Sequence, residues 1–260
     1  MTMPPVVLTI AGTDSGGAAG IAADLATIGH HGCHGACVVT AVTAQDTTGV
    51  HAVHPVPVDV VDAQISAVLD DLPVTVVKTG MLGAPEVVAL VGQRLAHLPI
   101  VVDPVLVATS GAVLGDRSVA TAYVRDLLPR ARVATPNLDE ARALTGRDGT
   151  PADLAARLAD LGCAVVLTGG EAGIDWLAVP GGTPRPLTHP RVETTNDHGT
   201  GCTHSSALAA HLALGATVAE AAARAAAYTH QQLLLSRTWD LGRGRGPIAH
   251  TAHITLGGSS

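Results

Sequence analysis

Short apolar runs of strand length recur along this chain, and helical patterns fill the intervals between them. The runs lie at Val6–Ile10, Ala36–Thr40, Thr75–Thr79, Ile100–Val102, Arg132–Thr135, Ala164–Thr168 and Trp176–Val179. The helical patterns lie at Ile21–Ile28, Val58–Leu69, Ala84–Leu95, Val119–Leu128, Leu138–Thr145 and Ala152–Leu161, with a long, slightly broken region over 207–235. Strands that are apolar along their whole length must be covered on both faces, and strands alternating with helices pair in parallel through right-handed crossovers. The expected fold is therefore α/β: a three-layer sandwich with a mainly parallel central sheet flanked by helices. In such sheets ligands bind beyond the carboxyl ends of the strands. Local signals agree. Pro85 and Pro151 stand just inside helix starts, Thr150 is placed to cap the second, and Thr217 the last. One domain over 1–260 is expected, with a loosely ordered tail from about 238, where Gly242-Arg243-Gly244-Arg245-Gly246-Pro247 breaks all periodicity.

Composition excludes several classes. The net charge of −7 argues against a nucleic-acid surface, which needs clustered Lys and Arg. No apolar run reaches bilayer length, and Met1–Pro5 lacks a basic leader, so no membrane association is expected and the cytoplasm is the default location. Cys33, Cys37, Cys163 and Cys202 form no CxxC pair and read as free thiols rather than zinc ligands. His30, His31 and His34 read as solvated loop residues. With no Phe, two Trp and two Tyr, a bound nucleotide base would rest on aliphatic side chains.

The chemistry-bearing residues cluster just after the apolar runs. Asn196-Asp197-His198-Gly199-Thr200-Gly201-Cys202 precedes an Ala-rich helical run. A glycine turn feeding a helix N-terminus offers unpaired N–H groups and a favourable dipole to an anion. A thiol held there is expected to have a lowered pKa. An ordinary glycine turn before a core helix is the plain alternative. Gly12-Thr13-Asp14-Ser15-Gly16-Gly17-Ala18-Ala19-Gly20 follows the first run. Thr43-Ala44-Gln45, Lys78-Thr79-Gly80-Met81, Val102-Asp103-Pro104-Val105 and Asn137-Leu138-Asp139-Glu140 follow others.

In this order the segments resemble the hydroxymethylpyrimidine/phosphomethylpyrimidine kinases of thiamine biosynthesis, within the ribokinase-like superfamily. The resemblance spans roughly residues 6–235. It implies ATP-dependent phosphorylation of 4-amino-5-hydroxymethyl-2-methylpyrimidine and of its monophosphate, with Mg²⁺, in a homodimer. It places Gly199, Thr200, Gly201 and Cys202 at the transferring phosphoryl group. Cys202 is then the base, a member of the anion hole, or a structural cysteine. The resemblance places Gly12, Ala19, Asp24, Gln45, Met81 and Val105 around the pyrimidine. It gives Asn137, Thr168 and Gly170 to the nucleotide, and Glu140 and Asp103 to the metal region. A carboxamide such as Gln45 offers a donor and an acceptor to a ring nitrogen and its neighbouring amine. Asn137 also reads as a helix N-cap.

Three positions depart from the family pattern. Thr168 and Thr195 stand where basic residues are usual, and Ala22 where Gln is usual. Lys78, Arg185 and Arg191 are the cations that remain to offset phosphate charge. A pyridoxal-type vitamin kinase and a non-catalytic pyrimidine-binding relative are the alternative readings.

Overall fold

The computed structural model describes residues 3–107, 111, 114–169 and 173–251. Eight strands form one sheet: β1 (Val6–Ala11), β2 (His34–Val39), β5 (Val74–Thr79), β6 (Ile100–Val102), β7 (Val133–Ala134), β8 (Ala164–Leu167), β9 (Ile174–Ala178) and β10 (Arg185–Thr188), in the order β10-β9-β8-β7-β6-β5-β1-β2. The pairs from β2 across to β8 are parallel; β8–β9 and β9–β10 are antiparallel.

Two cores lie on the two faces, because successive strand residues point to opposite sides. Leu8, Val77 and Val102 face one way and pack with α2 (Val58–Asp71), α3 (Pro85–Arg94), α4 (Arg117–Ala122), α5 (Leu138–Thr145) and α6 (Pro151–Ala159). Val7, Val76 and Val101 face the other way, against α1 (Gly20–His30), α7 (Thr200–Ala213) and α8 (Val218–Ser236). Both faces are buried, which is why the runs read as continuous rather than alternating. The caps fall where the sequence places them. Thr150 accepts from the Asp153 N–H, and Thr217 and Glu220 form a capping box that restarts the chain as α8 after α7.

Three elements of the fold correct the sequence reading. A separate antiparallel hairpin, β3 (Ala41–Asp46) and β4 (Gly49–Pro55), stands beyond the end of β2, where a loop is expected. Most of β4 is exposed, so its pattern carries little core signal. Strand β10 is likewise an exposed edge. The helix expected over Val119–Leu128 begins earlier and passes through a π-turn at Tyr123–Leu127 into a short 3₁₀ turn.

His30 and His31 are not solvated loop residues. Their rings pack on Tyr228, and His31 lies 4.6 Å from the His211 ring. Of the tail expected to be loose from about 238, the described residues 238–251 form no helix or strand, yet they are fastened through residue 250. Thr47 Oγ1 accepts from the Arg243 and Gly244 N–H groups, and Gly246 and Ile248 exchange backbone bonds with Thr195 and His198. Ile248 and Ala249 are buried.

Candidate active site

The segment before α7 turns at Gly199, whose φ of 88° is open to glycine and whose missing β-carbon makes room for the Ala18 carbonyl. Thr200 bonds back to the Asp197 carbonyl through both its N–H (3.2 Å) and its hydroxyl (2.6 Å). Gly199 has no side chain to cap this helix end, and among the described residues no other side-chain cap is seen there. With the Thr200 and Thr203 N–H groups bonded to Asp197 and Gly199, the Gly201 and Cys202 amides are the ones left for an incoming anion.

That turn borders a cavity whose lining brings together Gly12, Ala19, Gln45, Met81, Val105 and Cys202 from five separate segments. Gln45 sits at a bulge in β3. Its backbone N–H donates to Ser15 Oγ at 2.8 Å, and the Ser15 hydroxyl donates to its carbonyl at 2.6 Å, so the hairpin is tied to the glycine loop. The Gln45 carboxamide meets His198 Nε2 at 2.9 Å, and the same nitrogen lies 3.2 Å from Asp14 Oδ2. Asp14 also accepts from the N–H groups of Gly16, Ala18 and Ala19, which folds the glycine loop around its carboxylate. Burial works against the Asp14 charge, but the His198 contact and these amides outweigh it and hold its pKa low. His198 and Asp14 line the cavity too, and motif order alone assigns them no role. Their only sequence signal is position: one closes the turn before Gly199, the other opens the glycine loop.

Asp24 is not at the cavity wall where the resemblance places it. It is wholly buried, accepting from Thr9 Oγ1 at 2.6 Å and Ser206 Oγ at 2.8 Å, and pairing with Lys78 Nζ at 2.7 Å. Lys78 is equally buried and also lies 4.0 Å from Asp103 Oδ2. Burial alone would favour its neutral form, yet Asp24, Cys202 and Asp103 hold the ammonium charged. Lys78 is therefore spent on this pair and is not a free phosphate cation.

The pair also bears on Cys202. Its thiol is pushed up to about 12, first by burial and then by the charges of Asp24 and Asp103, against the opposing pull of Lys78. The lowered pKa expected from the helix N-terminus is overturned: burial and two carboxylates outweigh Lys78 and the Gly20 backbone contact.

Asp103, at the end of β6, accepts from Ser205 Oγ at 2.9 Å, and its pKa is raised by burial. Glu140 and Asn137 form a reciprocal capping box at the start of α5, each bonding the other's backbone N–H at 2.9 Å. Glu140 is buried, and burial with the nearby Asp103 charge lifts its carboxyl to about 8. Both acids line the cavity. Two oxygen donors that repel one another fit a hard divalent cation that keeps waters and borrows phosphate oxygens. Among the described residues no three His, Cys, Asp or Glu side chains converge into a cage made of protein alone.

A second cavity of about 550 Å³ adjoins the first; Asn137, Thr168 and Gly201 line both. Val192, Ala226 and Leu233 supply apolar wall, and Arg191 brings a cation. Arg185 stays exposed on β10, and Thr195 and Ala22 are exposed as well. Gly170, expected at the nucleotide, lies outside the described residues.

A parallel sheet whose strand ends gather an acceptor-sized cavity, an uncapped helix start and an adjoining larger cavity defines a kinase of ribokinase-like architecture. The pyridoxal kinase from Staphylococcus aureus in complex with AMP-PCP and pyridoxal superposes with a TM-score of 0.86 at 31% identity, over 98% of this chain and 96% of that one. The phosphomethylpyrimidine kinase from Clostridium difficile 630 superposes at 0.74 with 34% identity, over 87% and 98%. In sequence, the hydroxymethylpyrimidine/phosphomethylpyrimidine kinase of Rhizobium meliloti (strain 1021) is 44% identical over 260 residues, 95% of this chain and 97% of its own. The phosphomethylpyrimidine kinase family model matches residues 14–249, and the chain belongs to that family.

Proposed function

We propose that this protein transfers the terminal phosphoryl group of ATP to the hydroxymethyl group of 4-amino-5-hydroxymethyl-2-methylpyrimidine, and then to the resulting monophosphate, in thiamine biosynthesis. The observation that carries this reading is one cavity that holds Gln45, Met81 and the Gly199–Cys202 turn together, with a nucleotide-sized cavity across Gly201. The 44% identity to a named kinase of both pyrimidines supports it.

In this reading the pyrimidine lies between Gly12, Ala19, Met81 and Val105, with its polar edge toward Gln45. Its hydroxymethyl group points at Cys202. The amides of Gly201 and Cys202 receive the charge of the phosphoryl group in flight. A thiol near 12 is a neutral hydrogen-bonding group at rest, which favours Cys202 as part of the anion hole over a standing thiolate base. Phosphoryl transfer tolerates this, since positioning and charge neutralisation carry most of the catalysis.

ATP occupies the second cavity, with Asn137 and Thr168 at its phosphates, Arg191 offsetting charge and Val192, Ala226 and Leu233 against the base. Glu140 and Asp103 would hold Mg²⁺, which would neutralise phosphate charge there. The enzyme is a cytoplasmic homodimer in this reading. Four unpaired thiols suit a reducing compartment, and the exposed Val42 and Val53 of the hairpin give a second copy an apolar surface.

The test is ADP release with ATP·Mg²⁺ and each of three acceptors: the pyrimidine alcohol, its monophosphate and pyridoxal. Turnover of the first two is expected, and absence of turnover on the pyrimidine alcohol overturns the reading. A pyridoxal activity has one observation in its favour, the TM-score of 0.86 to a pyridoxal kinase, and the third acceptor tests it directly.

A further inference from the structure

His198 Nε2 faces two groups at once, the Asp14 carboxylate at 3.2 Å and the carboxamide nitrogen of Gln45 at 2.9 Å. A ring nitrogen carries either one proton or one lone pair, so it cannot accept from an amide N–H and donate to a carboxylate together. The carboxylate decides. Asp14 only accepts, and three backbone N–H groups fix its place. A lone pair directed at an anion inside a largely buried site is repelled, so the proton resides on Nε2. His198 Nδ1 is buried and has no partner among the described residues, so nothing draws the proton to the other side of the ring.

The carboxamide must then adapt. Its oxygen and nitrogen exchange places by a half-turn that leaves the side chain's shape almost unchanged. Facing an N–H, the stable end is the oxygen. The half-turn carries the amide nitrogen, set 2.9 Å from His198 Nε2 in the structure, to the side away from that ring, and Gln45 lies on the cavity wall.

We infer that Asp14 and His198 are positioning residues that fix the polarity of Gln45, so that it offers N–H donors to the acceptor and selects rings with a lone pair facing it. The inference rests on the reading that this cavity takes a nitrogen heterocycle, and it adds the reason for the choice. Without the Asp14–His198 pair the amide turns freely and either end serves. With it, a ring bearing C–H in place of the facing nitrogen leaves the Gln45 N–H group buried without a partner. An unmet buried donor is costly, on the order of tenfold in affinity or more.

The experiment is calorimetric binding of the pyrimidine alcohol and of its analogue with C–H in place of the ring nitrogen beside the amine. The pyridine alcohol pyridoxine and its C–H analogue form a second pair. Binding needs no turnover, so the result stands apart from the kinase assay. If the pyrimidine proves not to be phosphorylated, the inference is still decided by whichever ring pair binds.

The unchanged protein is expected to prefer the ring nitrogen by about tenfold or more. His198→Phe and Gln45→Glu are expected to lose that preference, the first by freeing the amide and the second by removing its N–H. His198→Gln, which keeps an N–H near Nε2, is expected to retain it. A preference that survives in His198→Phe or in Gln45→Glu overturns the inference. Should those variants not fold, nitrogen-15 correlation spectra of the unchanged protein decide it. A proton on His198 Nε2 supports the inference, and a neutral ring with its proton on Nδ1 overturns it.

Discussion

Cys202 shows how far a single residue's chemistry depends on what lies beneath it. With its thiol pushed up to about 12, only about one molecule in ten thousand is a thiolate at pH 8. Alkylation of Cys202 by iodoacetamide at pH 8, followed by peptide mass spectrometry, is expected to be about a thousandfold slower than for an unhindered free thiol. Labelling at the free-thiol rate would restore the standing thiolate. Thr168 is the second residue of interest. It lines both cavities, while the buried cation Lys78 is paired with Asp24. Thr168→Lys is expected to raise the rate with the pyrimidine monophosphate more than with the alcohol, because the monophosphate brings extra negative charge beside ATP. An unchanged ratio of the two steady-state rates would show that Arg191 or another cation already suffices.

Two elements hold the site by their ends. The first is the capped start of α5. Glutamine satisfies a capping box as glutamate does, and it removes a carboxyl that burial and Asp103 disfavour. Glu140→Gln is expected to leave the melting temperature equal or higher. Turnover should fall by roughly tenfold to a hundredfold, and the Mg²⁺ titration should weaken. Unchanged turnover and Mg²⁺ dependence would remove Glu140 from the metal region. The second element is the Gly242–Gly246 strap across the hairpin turn. Arg243 pairs with Asp46 at 3.0 Å and Arg245 pairs with Asp197, so the strap joins the hairpin carrying Gln45 to the segment carrying His198. A β-carbon at Gly244 would run into the Thr47 backbone, which has no flexible end to yield. Gly244→Ala is expected to cost about 1–3 kcal/mol in urea unfolding. It should also raise KM for the acceptor while leaving KM for ATP unchanged. Equal changes in both constants would show that the strap does not act on the acceptor side.

For the whole molecule, histidines set the response to acid. His31 is pushed down to about 4 by burial, His211 and His30, and burial lowers His211, His204 and His250 as well. The unfolded chain binds protons at these positions near pH 6.5, and the folded chain does not until lower pH. Stability from this source is full above about 6.5 and falls as pH drops toward 4. Glu140 runs the other way between about 4.5 and 8, so a difference between proteins is the clean measurement. His31→Gln is expected to lose less melting temperature between pH 7 and pH 5 than the unchanged protein. An equal loss would remove the His31 cluster as a source of acid sensitivity.

The sequence alone determined the parallel body of the sheet, the layers and the sheet end at which the cavity opens, because continuous apolar strands demand cover on both faces and helix signals are local. The capping residues Asn137, Thr150 and Thr217 were legible for the same reason: a cap is an interaction with the next few residues of the chain. The β3–β4 hairpin and the strap were not legible. Their strands are exposed or their backbone bonds are made to residues about 200 positions away, as between Thr47 and Arg243, and neither leaves an apolar period. The lining of the cavity followed motif order for Gln45, Met81, Gly12, Ala19 and Val105. Only the tertiary structure decided the charges. It buried Asp24 with Lys78, raised the Cys202 thiol and set His198 between Asp14 and Gln45. A motif names which residues meet at a strand end. Their protonation and hydrogen bonding depend on burial and on neighbours brought from every other part of the chain, and that information exists only once the chain has folded.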